Sequence, residues 1–164
     1  MKELVTITLV ACVYMGVGIG WRLWQRARLK KLWLEGQKAL GRGDMRGAAE
    51  VFRKCAAMNP AWPAVHRLLG MTLAASGEIA GAEAEVKLAA DLQPNDPEGQ
   101  QTLCLLYAVF MPERDQEALE ALARLRGLDE NAASVLARDP RLARLRNNPG
   151  FAAAAGLAEK SAGV

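Results

Sequence analysis

His66 is the only histidine in this 164-residue sequence and the only side chain whose ordinary titration range would let it shuttle protons near neutral pH. A histidine that does chemistry needs company: a nucleophile and an orienting acid, or Cys and carboxylate co-ligands at helical or loop spacing. None is arranged around His66. The three cysteines, Cys12, Cys55 and Cys104, are unevenly spaced and form no C-x-x-C pair. Cys55 and Cys104 fall on apolar stripes, where a free thiol behaves as a small hydrophobe. Gly41, Gly43 and Gly47 match neither a P-loop nor a dinucleotide fingerprint, and Arg42-Gly43-Asp44 is accounted for by a turn. The sequence therefore predicts a protein that is not an enzyme and carries no cofactor or metal, with His66 as a helix packing residue. A net charge of only +3 argues against nucleic acid as a partner.

The elements that would place these residues come from a 34-residue period. At that offset Leu34 falls on Leu68, Gly36 on Gly70, Gly43 on Gly77, Gly47 on Gly81, Ala48 on Ala82, Ala56 on Ala90 and Pro60 on Pro94. Phe52 over Val86 and Met58 over Leu92 keep size and polarity. A period of this length marks a helix–turn–helix unit that buries its apolar face by stacking on its neighbour. The turn Gly41 to Asp44 separates the first two helices, with Asp44 as N-cap. Pro63 and Asp96-Pro97 start later ones. After Pro97 the register slips by about two residues, giving a degenerate third unit.

Leu34-x-Gly36, the glycine-plus-acid turn and the small residues Ala48 and Ala82 resemble the tetratricopeptide repeat (TPR). The chain departs from that pattern at Leu32 and His66 and at Ala39 and Leu73. The resemblance implies a concave groove lined by the first helix of each repeat. Its face would be Lys30, Trp33, Gln37 and Leu40, then Ala64, Arg67, Met71 and Ala74, continuing to Gln101, Leu105 and Ala108. Trp33 stands out as a large aromatic outside the packing positions, where it either contacts a partner, touches lipid or packs under the next helix. The resemblance also suggests a partner protein that offers a helix or an extended segment.

Leu4 to Gly20 is apolar apart from two threonines, close to the shortest helix able to span a bilayer. The short n-region and lack of an A-x-A site disfavour a cleavable signal peptide. Leu9-Val10-Ala11-Cys12 only superficially resembles a lipobox, since the apolar run continues past the cysteine. A retained anchor is expected. Trp21 and Trp24 would sit at the interface, and Arg22, Arg26, Arg28, Lys30 and Lys31 would hold the following domain in the cytoplasm with the N-terminus outside. The same basic residues could meet anionic lipid head groups. Cys12, Gly16 and Gly20 recur every four residues and would form a face for packing on another transmembrane helix.

The expected architecture is all-α: an N-terminal transmembrane helix running into a short TPR-like solenoid with two clear repeats, a degenerate third and a helical C-terminal cap. The boundaries are 1–28 for the anchor and basic helix, 29–62, 63–96 and 97–128 for the repeats, and 129–164 for the cap. The expected role is a scaffold or accessory subunit of a larger membrane complex. The alternative is a transient assembly factor or chaperone for secretion or cytochrome-maturation machinery, with the repeats outside the cytoplasm.

Overall fold

The computed structural model describes the backbone of residues 2–157 and the side chains of residues 18–157. Among the described residues every regular element is a helix. α1 (Lys2–Gly41) is followed by α2 (Met45–Met58), α3 (Pro63–Ser76), α4 (Ile79–Leu92), α5 (Pro97–Phe110) and α6 (Asp115–Leu128). A shorter α7 (Glu130–Ala137), two 3-10 turns (Pro140–Leu142 and Leu145–Asn147) and α8 (Phe151–Ala155) complete the order. α1 packs on α2, α3 on α4 and α5 on α6, and α2–α3 and α4–α5 contacts stack the pairs.

Local chemistry sets most of the breaks. Asp44 caps α2 by accepting from the Gly47 N–H at 2.9 Å, and Asp96 caps α5 by accepting from Glu98 N–H at 3.1 Å. Gly77 ends α3 at φ +92°, a left-handed conformation that glycine adopts without strain, and the Glu78 N–H then reaches back to the Leu73 carbonyl at 2.9 Å. Pro63 and Pro97 occupy first helical positions, where their missing N–H costs no hydrogen bond.

The first two helix pairs each close through a glycine. A Cβ added to Gly36 would stand 2.6 Å from Phe52 Cε1, and one added to Gly70 would stand 2.9 Å from the Ala82 carbonyl oxygen. The helices are thus closer than any larger residue permits. Around these contacts Phe52, Leu69, Val86, Leu106, Leu122 and Leu125 are fully buried, each contributing about 1.5–3 kcal/mol of transfer free energy. Leu142, Leu145 and Phe151 from the C-terminal segment are also buried. Arg144 fastens that segment: its Nη1 donates to Asp115 Oδ2 at 2.9 Å and its Nη2 to the Ala108 carbonyl at 3.1 Å.

The expectation of a single-pass membrane protein, N-terminus outside and repeats in the cytoplasm, is overturned. Among the described residues no helix is long and apolar enough to cross a membrane. From Gly18 onward α1 is interrupted by Arg22, Arg26, Arg28, Lys30 and Lys31, whereas a span needs about 20 predominantly apolar residues. Cys12 and Gly16 lie outside the residues whose side chains are described, and a Cβ added at Gly20 would meet no heavy atom within 4 Å.

Candidate functional site

The first helices of the three pairs share a groove of about 310 Å³, lined by Trp33 from α1, by Ala64, Arg67, Leu68 and Met71 from α3, and by Glu98 and Thr102 from α5. Its aromatic wall is built, not loose. The Trp33 ring stacks on Trp62 at 4.7 Å between centroids and meets Phe52 edge-on at 5.7 Å. Trp62 is also the residue that precedes α3, so the tryptophan pair fixes α1 against the start of α3. Trp33 packs within the chain and still lines the groove.

Arg67 sits in the same groove with its charge already engaged. Its Nη1 donates to Asp96 Oδ2 at 3.1 Å and its Nη2 to Glu98, and its side chain is only 15% exposed. Two acids joined to one guanidinium tie α3 to the start of α5 and neutralise the cation. The groove is left mainly apolar, with Leu68, Met71 and the tryptophan as its surface.

The other residues expected on this face divide. Lys30 and Gln37 are exposed on α1, Leu40 and Gln101 are half-buried, and Leu105, Ala74 and Ala108 are buried in the core. Leu68 and Thr102, which sequence reasoning passed over, take their place. Both are the sixth residue of their helices. Leu34, one period before Leu68, is 49% exposed and continues the same line. That shared register was the signal available in the sequence.

Beyond the groove, Trp21, Arg22, Trp24, Arg26, Arg28 and Lys31 are all exposed. Trp21 stacks on Trp24 at 5.1 Å, and the Arg28 guanidinium lies 5.3 Å over the Trp24 ring.

His66 is buried and held at both ring nitrogens, with Nδ1 2.6 Å from Glu85 Oε2 and Nε2 3.0 Å from the Pro60 carbonyl. It locks α3 to α4 and to the end of α2. Burial pushes the Cys104 thiol up to about 12, and burial followed by Glu35 also raises Cys55. Both are held as unreactive thiols. Among the described residues no group of His, Cys, Asp and Glu is placed to hold a metal ion. Glu83 is held below the usual carboxylate range, first by Lys87 and then by Tyr107 and Arg114, in a network that joins α4 to α5 and α6.

A family model described as tetratricopeptide repeat matches residues 39–104. Residues 39–104 thus carry the tetratricopeptide repeat pattern. Known structures agree with this TPR architecture. The CopN–Scc3 complex is 25% identical over 73% of this chain, with a TM-score of 0.53. This chain spans 65% of that one. The TPR2B domain of yeast Sti1, in a pHsp70 complex, is 16% identical with a TM-score of 0.59, covering 80% of this chain and 98% of that domain. The first TPR of Spaghetti (RPAP3), bound to an HSP90 peptide, is 15% identical with a TM-score of 0.57, covering 83% of this chain and 94% of that one. No curated protein matches the chain. TPR proteins mediate protein–protein interactions, and the TPR fold is typical of non-enzymatic interaction scaffolds.

Proposed function

We propose that this TPR chain is an interaction scaffold whose concave groove receives a segment of a protein partner, as an accessory subunit of a larger assembly. The observation that carries this reading is the groove itself. Three successive first helices contribute to it, its aromatic wall is pre-packed by Trp33 on Trp62, and Arg67 is already neutralised by Asp96 and Glu98. A pre-formed apolar surface spares the partner the cost of ordering it. With no free cation at its centre, this groove favours a partner's apolar side chains over a terminal carboxylate. The solved TPR domains bound to an HSP90 peptide and in a pHsp70 complex support a peptide or helix as the guest.

The test is co-purification of the full chain from its native cells. Met71→Glu should remove a stoichiometric partner, whereas Arg53→Glu, at an exposed residue of α2 that does not line the groove, should keep it. Equal recovery with both variants would move the site elsewhere. A partner that survives extensive washing marks a stable subunit, and one lost on washing marks a transient client.

A further inference from the structure

α3 carries a second apolar stripe besides the one it buries. Ala64, Leu68, Met71 and Ala75 follow one another at intervals of four, three and four residues, so they stack within about 60° of one another around the helix. The first three are half-buried and line the groove, and Ala75 is exposed. Val65, Leu69 and Leu73, by contrast, are buried in the core. Alternating intervals of four and three make the seam along which one helix packs on another. The neighbouring first helices do not repeat it. One period away, the same register holds exposed Lys30 and Gln37 in α1, and exposed Glu98 and half-buried Thr102 in α5.

The polar side chains beside this seam are engaged within the chain. Arg67 turns both terminal nitrogens on Asp96 and Glu98, and the Thr102 hydroxyl donates to the Glu98 carbonyl at 2.7 Å. An extended segment brings one N–H and one C=O per residue that need partners. Laid on Leu68, Met71 and Trp33, it would bury those groups where few donors or acceptors remain, which is unfavourable for each one left unmet. A helix arrives with its backbone already paired. The two rims differ in charge. Lys30 stands one turn before Trp33 on α1, and among the described residues it forms no ion pair. On the α5 side two acids, Asp96 and Glu98, share the single cation Arg67.

We infer that the groove takes an amphipathic α-helix of a protein partner, laid along α3 with its apolar side chains on the seam of Ala64, Leu68, Met71 and Ala75, an acidic flank toward Lys30 and a basic flank toward Glu98. From Ala64 to Ala75 the seam is about 17 Å long at 1.5 Å per residue, so it holds about three turns of the guest. The inference rests on the proposed role of the groove and names the kind of segment that enters it.

The probe is a fluorescein-labelled peptide of about four helical turns, held helical by a lactam bridge on its outer face. It carries leucines at the seam spacing, glutamates along one flank and lysines along the other. Its binding to the full chain is read by fluorescence anisotropy. Saturable binding is expected, weakened about ten-fold or more when the bridge is removed and a central proline breaks the helix. Met71→Glu should weaken it about ten-fold as well, by setting a charge on the seam. Lys30→Glu should weaken it about three-fold, and should have no such effect on a version with glutamine in place of the glutamates. The inference is overturned by no saturable binding, by equal binding of the proline version, or by equal effects of Lys30→Glu on the two versions. Should it fail in one of these ways while Met71→Glu still removes the co-purified partner, the groove remains the site and its guest is extended. Peptide binding and partner recovery that both survive Met71→Glu would overturn the groove reading too.

Discussion

Repeat two and repeat three start from the same helix register and end with opposite interiors at one position. In repeat two a buried histidine joins α3 to α4 and to the preceding turn, and the interior is sealed. In repeat three a glutamine of comparable burial faces an alanine, and a polar cleft remains. The difference traces to the second helices, not the first. Ile79 follows Pro63 by 16 residues, whereas Asp115 follows Pro97 by 18. The two extra residues lengthen the turn and leave α6 in the register of α4, with Ala118 and Leu122 buried where Ala82 and Val86 are, so the difference lies in Ala121 standing in the place of Glu85. A repeat scaffold can thus trade a stability contact for a cavity without altering the helix that carries the buried group.

Six substitutions, two of them read through an acid titration, sharpen this comparison. The largest effect is expected at the sealed site. His66→Leu removes the ring that bridges Glu85 and the Pro60 carbonyl and should lower unfolding free energy by about 2–3 kcal/mol in urea denaturation. Gly70→Ala should cost about 1–3 kcal/mol by the same assay, because the new methyl must push against the Ala82 backbone. Repeat three holds Cys104 at the equivalent eighth position of its helix, so Cys104→Ala should cost less, about 1 kcal/mol. Gln100→Leu should change stability by about 0.5 kcal/mol or less, in either direction, since it removes a polar group that has no partner. Comparable losses for His66→Leu and Gln100→Leu would break the contrast between the two interiors.

The smallest expected effect is that of acid. Asp139, held by Arg141 through side-chain and backbone hydrogen bonds, is lowered from 3.8 to about 2. A carboxylate depressed in the folded state contributes stability above its unfolded value and loses it as pH falls through the folded one. The melting temperature should therefore decline between about pH 4 and pH 2, and the decline should flatten in Arg141→Ala. Glu83 is depressed as well, chiefly by Lys87, so Lys87→Met should weaken its share of the same decline.

Much of the solenoid was legible because its breaks are made by local chemistry. Asp44, Pro63, Gly77 and Asp96-Pro97 cap or stop helices whatever the rest of the chain does. His66 was legible as a packing residue, although its bonds to Glu85 and Pro60 depend on how α2 and α4 approach α3. The groove was legible in part. Trp33, Ala64, Arg67 and Met71 do come together, but counting along a single helix missed Leu68 and Thr102 and put Leu105 on the surface. What separates these is how deeply each helix tilts into the stack, which only packing between repeats decides. Arg67 reads as a free anchor in the sequence because Asp96 and Glu98 lie about thirty residues away and reach it only through folding. The cleft beside Gln100 was hidden for the same reason: that Ala121 stands in the place of Glu85 shows only once α6 is packed on α5. The membrane expectation rested on the apolar run Leu4 to Gly20 and the tryptophans and basic residues that follow it, and no described helix meets the length and apolarity that a span requires.

The central claim is that the groove floored by Trp33, Leu68 and Met71 is where this chain meets its partner. Its most direct test places a photo-crosslinking amino acid at Leu68 in the full-length protein and, separately, at Arg53, an exposed residue of α2 that does not line the groove. The account predicts a discrete crosslinked partner from the Leu68 position, lost when Met71→Glu is added, and none from Arg53. The same partner captured from Arg53 but not from Leu68 would contradict it.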